Sequence, residues 1–582
     1  MSTGRRRAFA IEAAMFLLFV GWAVVVTWPL TSNIATYVAG DLGDPLEYAW
    51  MIGWGGHAIT AQPLALFDSN MFFPLENTLV FSENLLGLAI PMAPLTRLTG
   101  NAILSTNVAI LLSIAIGSFG VRRLAMALGA HGGVATLAGL AFAVAPYRVA
   151  SIAHVHVLAI HFLPFALLAF LRLVRNPTFR GAGVLAAIVG AQWWTSMTGG
   201  AMTLLVVATA GVWWLVVRRD AAAIRVVAVA AGACVAGLLL AAPVVVAYRA
   251  AVEDHPNYSH PEIEVLDNSA TPSAYLFPHR GGGLTRSAYA ALAERFEPAR
   301  SGHEKTLFPG AYLALATVAA VVVAAAGVAS RRSHSAPLHN GASAMTAPLL
   351  LCGLIALLGF ALSLGPKWGG ADDGFPLPFA LFDKVGVGLG RVPARFGVLV
   401  TFALALATAL VLGRLRGRFL HAFVALSALL LIVEAWPNAV QPSRAPELTE
   451  AHRALRGTDR TVLVLPTTEW INGEIVEFPS VVREAQILWL STANYRPMVN
   501  GYAAFLPQAY VDITKGLQIF PSESSMALLG RLRVDTVIVE TSLLADTPWV
   551  DVSHHLAAWP GVRLLAEDGT TQVWDISQAA DP

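Results

Sequence analysis

Runs of about 20 apolar residues, long enough to cross a bilayer core, recur through the first three quarters of the chain with short polar connections between them. Eleven windows fit this pattern: 11-31, 101-121, 133-148, 156-174, 181-197, 199-217, 226-248, 308-330, 346-364, 396-413 and 419-436. Leu313 to Ala329 is the plainest, with no charge and a run of Val, Ala and Leu. Beyond residue 436 the pattern shortens. Thr461 to Leu465, Asp535 to Glu540 and Thr571 to Ile576 read as strands, and Glu450 to Arg456 and Ser524 to Leu532 as helices. The expected fold is mainly α: a polytopic membrane helical bundle of eleven spans over residues 1-436, with outer loops at 31-100 and 249-307, followed by an extracytoplasmic α/β domain at 437-582.

Charge sets the direction of threading. Arg5 to Arg7, Arg122 and Arg123, Arg172 to Arg180, Arg218 to Arg225, Arg331 and Arg332, and Arg414 to Arg418 fall on alternate connections. By the positive-inside rule these face the cytoplasm. Residues 31-96 hold Asp41, Asp44, Glu47, Asp68, Glu76 and Glu83 and no Lys or Arg, so that loop belongs outside. The N-terminus is expected inside, the C-terminus outside, and the first window as a retained span rather than a cleaved signal, in an inner (plasma) membrane. Residues 437-582 carry 10 basic and 17 acidic residues, the composition of a water-facing domain. Overall only 13% of residues are charged, about half the soluble average. The net charge of +1 argues against nucleic acid as a partner. Cys234 and Cys352 both sit in apolar windows, so no structural disulfide is expected.

No Asp, Glu, Lys or Arg occupies the middle of a window, where little more than His161, Gln192 and scattered Ser and Thr is polar, which disfavours an ion-coupled pump. Polar residues gather instead at the outer ends and loops, the densest being Gly40-Asp41-Leu42-Gly43-Asp44-Pro45-Leu46-Glu47-Tyr48-Ala49-Trp50. Gly43 and Pro45 suit a turn, and Tyr48, Trp50, Met51 and Trp54 suit an interfacial amphipathic helix starting near Asp44. Asp44 then has two readings. It caps the helix, or it takes the proton from an attacking hydroxyl.

An acidic residue just after the first span, an interfacial helix and many spans resemble the GT-C superfamily of lipid-phosphosugar-dependent glycosyltransferases. Phe67-Asp68-Ser69-Asn70-Met71-Phe72-Phe73-Pro74, Phe81-Ser82-Glu83-Asn84, Ala145-Pro146-Tyr147-Arg148, Arg391-Val392-Pro393-Ala394-Arg395-Phe396 and Val499-Asn500-Gly501-Tyr502 resemble large bacterial membrane proteins near that superfamily. The resemblance implies a polyprenyl-phosphate-linked sugar as donor and a first-loop acid as general base, matched here by Asp44 and, less well, Asp41. It leaves the acceptor, glycan or protein, open.

A donor phosphate needs cations or amides. Arg148, His154, Arg391 and Arg395 stand at predicted outer ends of windows and are its expected ligands. His154 and His156 are two residues apart and would face different sides of a helix. No residue is assigned as a metal ligand. The cofactor is left open, with a divalent metal as the candidate. Glu83 either positions an acceptor or bonds a helix end, and Pro91 and Pro94 are expected to break the apolar stretch Leu85 to Leu95. The long loop 249-307 is expected to cover a groove, with Tyr275 and His279 placed to stack on a sugar or prenyl headgroup. No Gly-x-Ser-x-Gly, phosphate-loop or dinucleotide motif occurs. Two non-enzymatic readings remain: a lipid-linked glycan carrier or flippase, which needs a polar path through the spans, and a membrane-anchored assembly protein.

Overall fold

The computed structural model describes residues 3–258, 262–276, 291, 303–333, 343–368, 374–383, 391–435, 440–471 and 474–579. Arg391 and Tyr275 are among them; His279 lies outside the described residues. The chain divides into two compact units. The first comprises Met1–Ser32, Val108–Ala242 and His260–Gln441, and the second Asn33–Asn107, Pro243–Ser259 and Pro442–Pro582.

The first unit is built of apolar helices. Among the described residues, eight helices of the chain are long and apolar enough to cross a membrane, and nine if a pair bent by 43° is one span. The chain is thus a mainly α, multi-pass membrane protein. Three of the eleven windows differ from expectation for local reasons. Window 133-148 bends because Pro146 cannot continue the Gly132–Val144 helix, with Ala145 extended at the break. Window 181-197 is a 17-residue helix, Phe179–Thr195, ended by Ser196, which caps the next helix. In window 308-330 the apolar stretch is Ala311–Ala325.

Charges at the span ends are matched. Glu12 pairs with Arg122 and Arg123, at 2.8 Å in each case. Glu434, near the end of the Gly417–Ala435 helix, accepts the backbone N–H groups of Ala311 and Tyr312 at 2.6 and 3.1 Å. Its carboxylate satisfies the free amides opening the Ala311–Ser333 helix, where an anion also meets the favourable end of the helix dipole. Gly310 allows this approach: its φ is +97°, and a Cβ there would lie 2.5 Å from Glu434 Oε1.

The second unit joins the first-loop residues to the C-terminal part of the chain. Strand β1 (Tyr37–Ala39) pairs antiparallel with β2 (Pro442–Arg444). A four-stranded sheet has the order β3 (Val462–Leu465), β6 (Thr536–Glu540), β8 (Thr571–Asp575), β7 (Arg563–Asp568), with β3 and β6 parallel and the other pairs antiparallel. A small hairpin, β4 (Trp470–Ile471) with β5 (Glu474–Ile475), stands apart. β3, β6 and β8 lie within one residue of the runs read from sequence. β7 was not read there because most of it is exposed and its charged residues hide the period.

Asp575 closes the end of β8. Burial alone would raise its carboxyl, but Arg460, the Ser577 hydroxyl and the Ser577 amide outweigh it and hold it well below the usual carboxylate range. A depressed folded value gives stability above the unfolded pKa of about 4 that is lost as pH falls. Asp575→Asn is therefore expected to cost about 1.5–3 kcal/mol near neutral pH and to lose less than the native chain on acidification. Thermal unfolding in detergent from neutral to acid pH measures both.

Candidate functional site

Asp44 begins the Asp44–Ala61 helix in the second unit, with Pro45 preset for the first turn. Its carboxylate is not the cap. The N-cap is Gly43, with no side-chain cap bond. Asp41 turns the chain there instead, its Oδ1 accepting the Gly43 N–H at 2.9 Å. Asp44 Oδ1 accepts a short hydrogen bond from the Tyr502 hydroxyl, and Oδ2 one at 3.5 Å from Tyr48. Of the two readings the sequence leaves open, capping is the one this geometry does not use.

The helix itself differs from the interfacial, one-faced element expected. Pro45 to Gly56 and Ala58 are all buried, as in a helix enclosed on all sides. Small residues make the enclosure possible: a Cβ on Gly55 would come within 2.4 Å of the Ala89 Cβ, and one on Gly53 within 2.5 Å of the Tyr495 hydroxyl. Ala89 belongs to the Leu86–Thr99 helix, which runs unbroken through Pro91 and Pro94. Packing against the Asp44–Ala61 helix outweighs the prolines' local cost, contrary to the break expected from sequence. Asn84 serves the start of that helix, its Oδ1 accepting the Leu86 N–H at 3.0 Å.

Tyr502 reaches Asp44 through a backbone ladder. Val462 N–H donates to Pro497 O at 2.8 Å and Val499 N–H to Val462 O at 2.9 Å, which extends the sheet beyond β3. The first loop then adds to that edge: Met498 N–H donates to Asn70 O, Phe73 N–H to Met498 O and Phe72 N–H to Asn500 O, at 2.8, 2.9 and 3.0 Å. A Cβ on Gly501 would lie 2.6 Å from the Phe72 ring, so only glycine admits this contact. The helix is tied to the same edge: Trp50 Nε1 donates to Asn70 Oδ1 at 3.0 Å, and Asn70 Nδ2 to Ser491 Oγ and Arg496 O at 3.1 and 3.2 Å. Register at Asn70 and Met498 therefore determines where Tyr502 falls. Burial first, and the Asp44 carboxylate next, hold the Tyr502 phenol far above the usual tyrosine range, so it stays a donor at all ordinary pH values.

Further acids lie close in the same unit. Glu47, one turn on from Asp44, is 3% exposed. Glu83 acts electrostatically on Tyr258, raising its phenol in addition to the larger effect of burial. The Tyr258 hydroxyl donates to Val80 O at 3.0 Å, and that of Tyr248 to Ser82 O.

The expected phosphate ligands lie in the first unit. Arg148 is 2% exposed, its guanidinium 4.4 Å from the Phe142 ring centroid and its Nη1 3.4 Å from Leu158 O. Its Nε and Nη2 have no hydrogen-bond partner among the described residues. Arg395 donates to Glu304 Oε1 from Nε at 3.1 Å and Nη2 at 2.8 Å, and Glu304 Oε2 accepts from Tyr147 at 3.1 Å. Arg391 pairs with Glu264 at 2.6 Å on a more exposed surface. His154 stands just before a short helix, Val155–Leu158, without a side-chain cap bond to it, and its ring centroid is 6.3 Å from that of His156. Tyr275 shares a 2.6 Å hydrogen bond with Ser363 and lies beside Phe360. Among the described residues, no three His, Cys, Asp or Glu side chains gather as a metal-binding group.

No protein-family model and no curated protein sequence matches the chain. Solved structures do. The arabinofuranosyltransferase AftD from mycobacteria superposes with a TM-score of 0.58 at 15% identity, over 97% of this chain and 40% of that one. The chain shares the fold of that structure. It spans about 40% of the length of AftD. The Archaeoglobus fulgidus oligosaccharyltransferase is a weaker match, with a TM-score of 0.47 at 13% identity over 91% of this chain and 68% of that one. Within this fold, the residues that the sequence did not mark out as site residues are Tyr48, Tyr502 and Glu304. Tyr502 stood in the Val499 to Tyr502 motif, but nothing local marks its partner 458 residues away.

Proposed function

We propose that this protein is a membrane glycosyltransferase that moves a sugar from a polyprenyl-phosphate donor to an acceptor outside the cytoplasm, with inversion. The acceptor oxygen attacks the anomeric carbon as the bond from that carbon to the phosphate oxygen breaks. Asp44 takes the acceptor's proton, and polyprenyl phosphate leaves with the bonding pair. As the leaving group is already a stable anion, no general acid is required. The observation that carries the reading is Asp44 itself: a carboxylate at a helix start that does no capping and is held by two tyrosine hydroxyls.

Arg148 supports the donor class. A guanidinium that is 2% exposed and has two nitrogens without a hydrogen-bond partner among the described residues costs several kcal/mol unless an anion joins it. Arg395 and Arg391, already paired with carboxylates, are assigned the lesser share of phosphate binding, together with His154. Asp41 holds the turn, Glu83 is assigned to positioning the acceptor, and Tyr275 to stacking on a sugar or prenyl headgroup.

The test is release of polyprenyl phosphate from synthetic polyprenyl-phosphate sugars by the purified protein in lipid, with NMR assignment of the product anomer. A chain that turns over none of a pentose and hexose panel refutes the proposal. Arg148→Met is expected to raise KM for the donor about 10- to 150-fold, the worth of a charged hydrogen bond. It is also expected to raise the melting temperature of the donor-free protein, since the uncompensated charge is gone. A purely structural arginine would lower it.

A further inference from the structure

A cavity of about 590 Å³ opens in the second unit at the carboxyl end of β6, walled by the 446–453 segment, the Glu477–Leu490 helix and the β7–β8 turn. Neither Asp44 nor Tyr502 lines it. Its size falls within the ~300–1,000 Å³ typical of small-molecule sites, and the end of a parallel strand is where α/β folds commonly take ligands. Its floor is fixed. Glu540, the last residue of β6 and 3% exposed, accepts from His452 Nε2 at 2.8 Å and from the Thr571 hydroxyl at 3.1 Å. His452 Nδ1 accepts the Thr449 N–H at 3.0 Å, which leaves the ring proton on Nε2, aimed at Glu540.

The walls state what can bind. Glu447, Glu450 and Asp568 line the cavity in addition to Glu540, against a single arginine, Arg453, which is paired with Glu450 at 2.6 Å. That balance repels phosphates and carboxylates. The gathering of His and acids is short of a metal-ligand group among the described residues. The remaining lining alternates hydroxyls, such as those of Ser542 and Thr570, with apolar patches at Leu448 and Leu490. Carboxylates accept hydrogen bonds from hydroxyls, and leucines cover the C–H faces of a sugar ring.

We infer that this cavity is a binding site for a neutral glycan segment, separate from the Asp44 region. It needs neither donor nor turnover, so it stands or falls apart from the transferase reading. The experiment uses the full chain in nanodiscs, and saturation-transfer NMR and calorimetry with maltotriose, mannotriose and arabinofuranotriose. At least one should bind, in the native chain and in Asp44→Asn alike. Ser542→Trp and Thr570→Trp, at exposed wall positions, should each weaken binding about tenfold or more with unchanged thermal unfolding and unchanged donor turnover. Failure of all three sugars to bind, binding that both tryptophans leave intact, or displacement of the sugar by spermidine acting as the true cationic ligand would each overturn the inference.

Discussion

Asp44→Asn is expected to lower kcat for sugar transfer by about 10²- to 10⁴-fold, the contribution of a positioned general base, with KM for the donor nearly unchanged. The asparagine has the same shape, and its Oδ1 can still accept from Tyr502, so the fold and the helix start should survive. What it cannot do is take a proton from the acceptor. Tyr502→Phe separates the base from its support. The phenol donates to the carboxylate and, held far above its ordinary range by burial, remains a donor. Its loss is expected to cost about tenfold in kcat, roughly one charged hydrogen bond. It should also move the acid limb of the pH–rate profile upward, because a hydrogen bond to the ionised form favours that form. Steady-state kinetics with a polyprenyl-phosphate sugar, run across pH for both variants, reads these effects. Full turnover in Asp44→Asn would remove this residue from the mechanism.

The membrane part of the fold was legible because a bilayer leaves few choices: about 20 apolar residues must form a helix that satisfies its own backbone. What the apolar pattern could not show was where a helix breaks, since Pro146 bends one span while Pro91 and Pro94 do not interrupt the short Leu86–Thr99 helix. The difference is tertiary. The Leu86–Thr99 helix is held by close packing against Gly55 and Gly56, and no local rule for proline contains that neighbour. Asp44 could be singled out because it stands in the densest polar cluster of the chain, just after the first span, where the resemblance implies a base. Tyr502 could not, because its place depends on a ladder between Asn70 to Phe73 and Met498 to Asn500. Strand pairing across more than 400 residues leaves no periodic trace in either partner. Arg395 shows the same limit from the other side: its charge was plain in the sequence, while Glu304, which engages it, was read only as part of a long loop.

Glu484→Ala is expected to have the largest effect on stability, about 3–5 kcal/mol, because four buried donors lose their acceptor together. Glu484 lies in the Glu477–Leu490 helix, 3% exposed. Its Oε1 accepts from Tyr510 at 2.6 Å, Thr467 at 3.0 Å and Thr468 at 3.3 Å, and its Oε2 from Asn500 Nδ2 at 3.2 Å. Burial raises its carboxyl above the usual range, and these hydrogen bonds only partly offset the rise. The sign follows: a raised folded value gives stability that is complete below the unfolded pKa of about 4.3 and lost as pH rises through the folded value, the reverse of Asp575. Glu484→Gln removes that pH dependence and leaves an acceptor for the three hydroxyls, so its cost should be about 1–2 kcal/mol, the donor left facing Asn500. The alanine variant has a further consequence. Asn500 also exchanges hydrogen bonds with the Val464 backbone, at 2.7 and 3.0 Å, and stands two residues before Tyr502. Loosening it should free the tyrosine from Asp44 and lower turnover toward that of Tyr502→Phe. Thermal unfolding followed by tryptophan fluorescence should show a fall of roughly 6–20 °C for a unit of this size. A melting temperature within about 2 °C of the native chain, less than 1 kcal/mol on that scale, would mean that this network does not hold the second unit together.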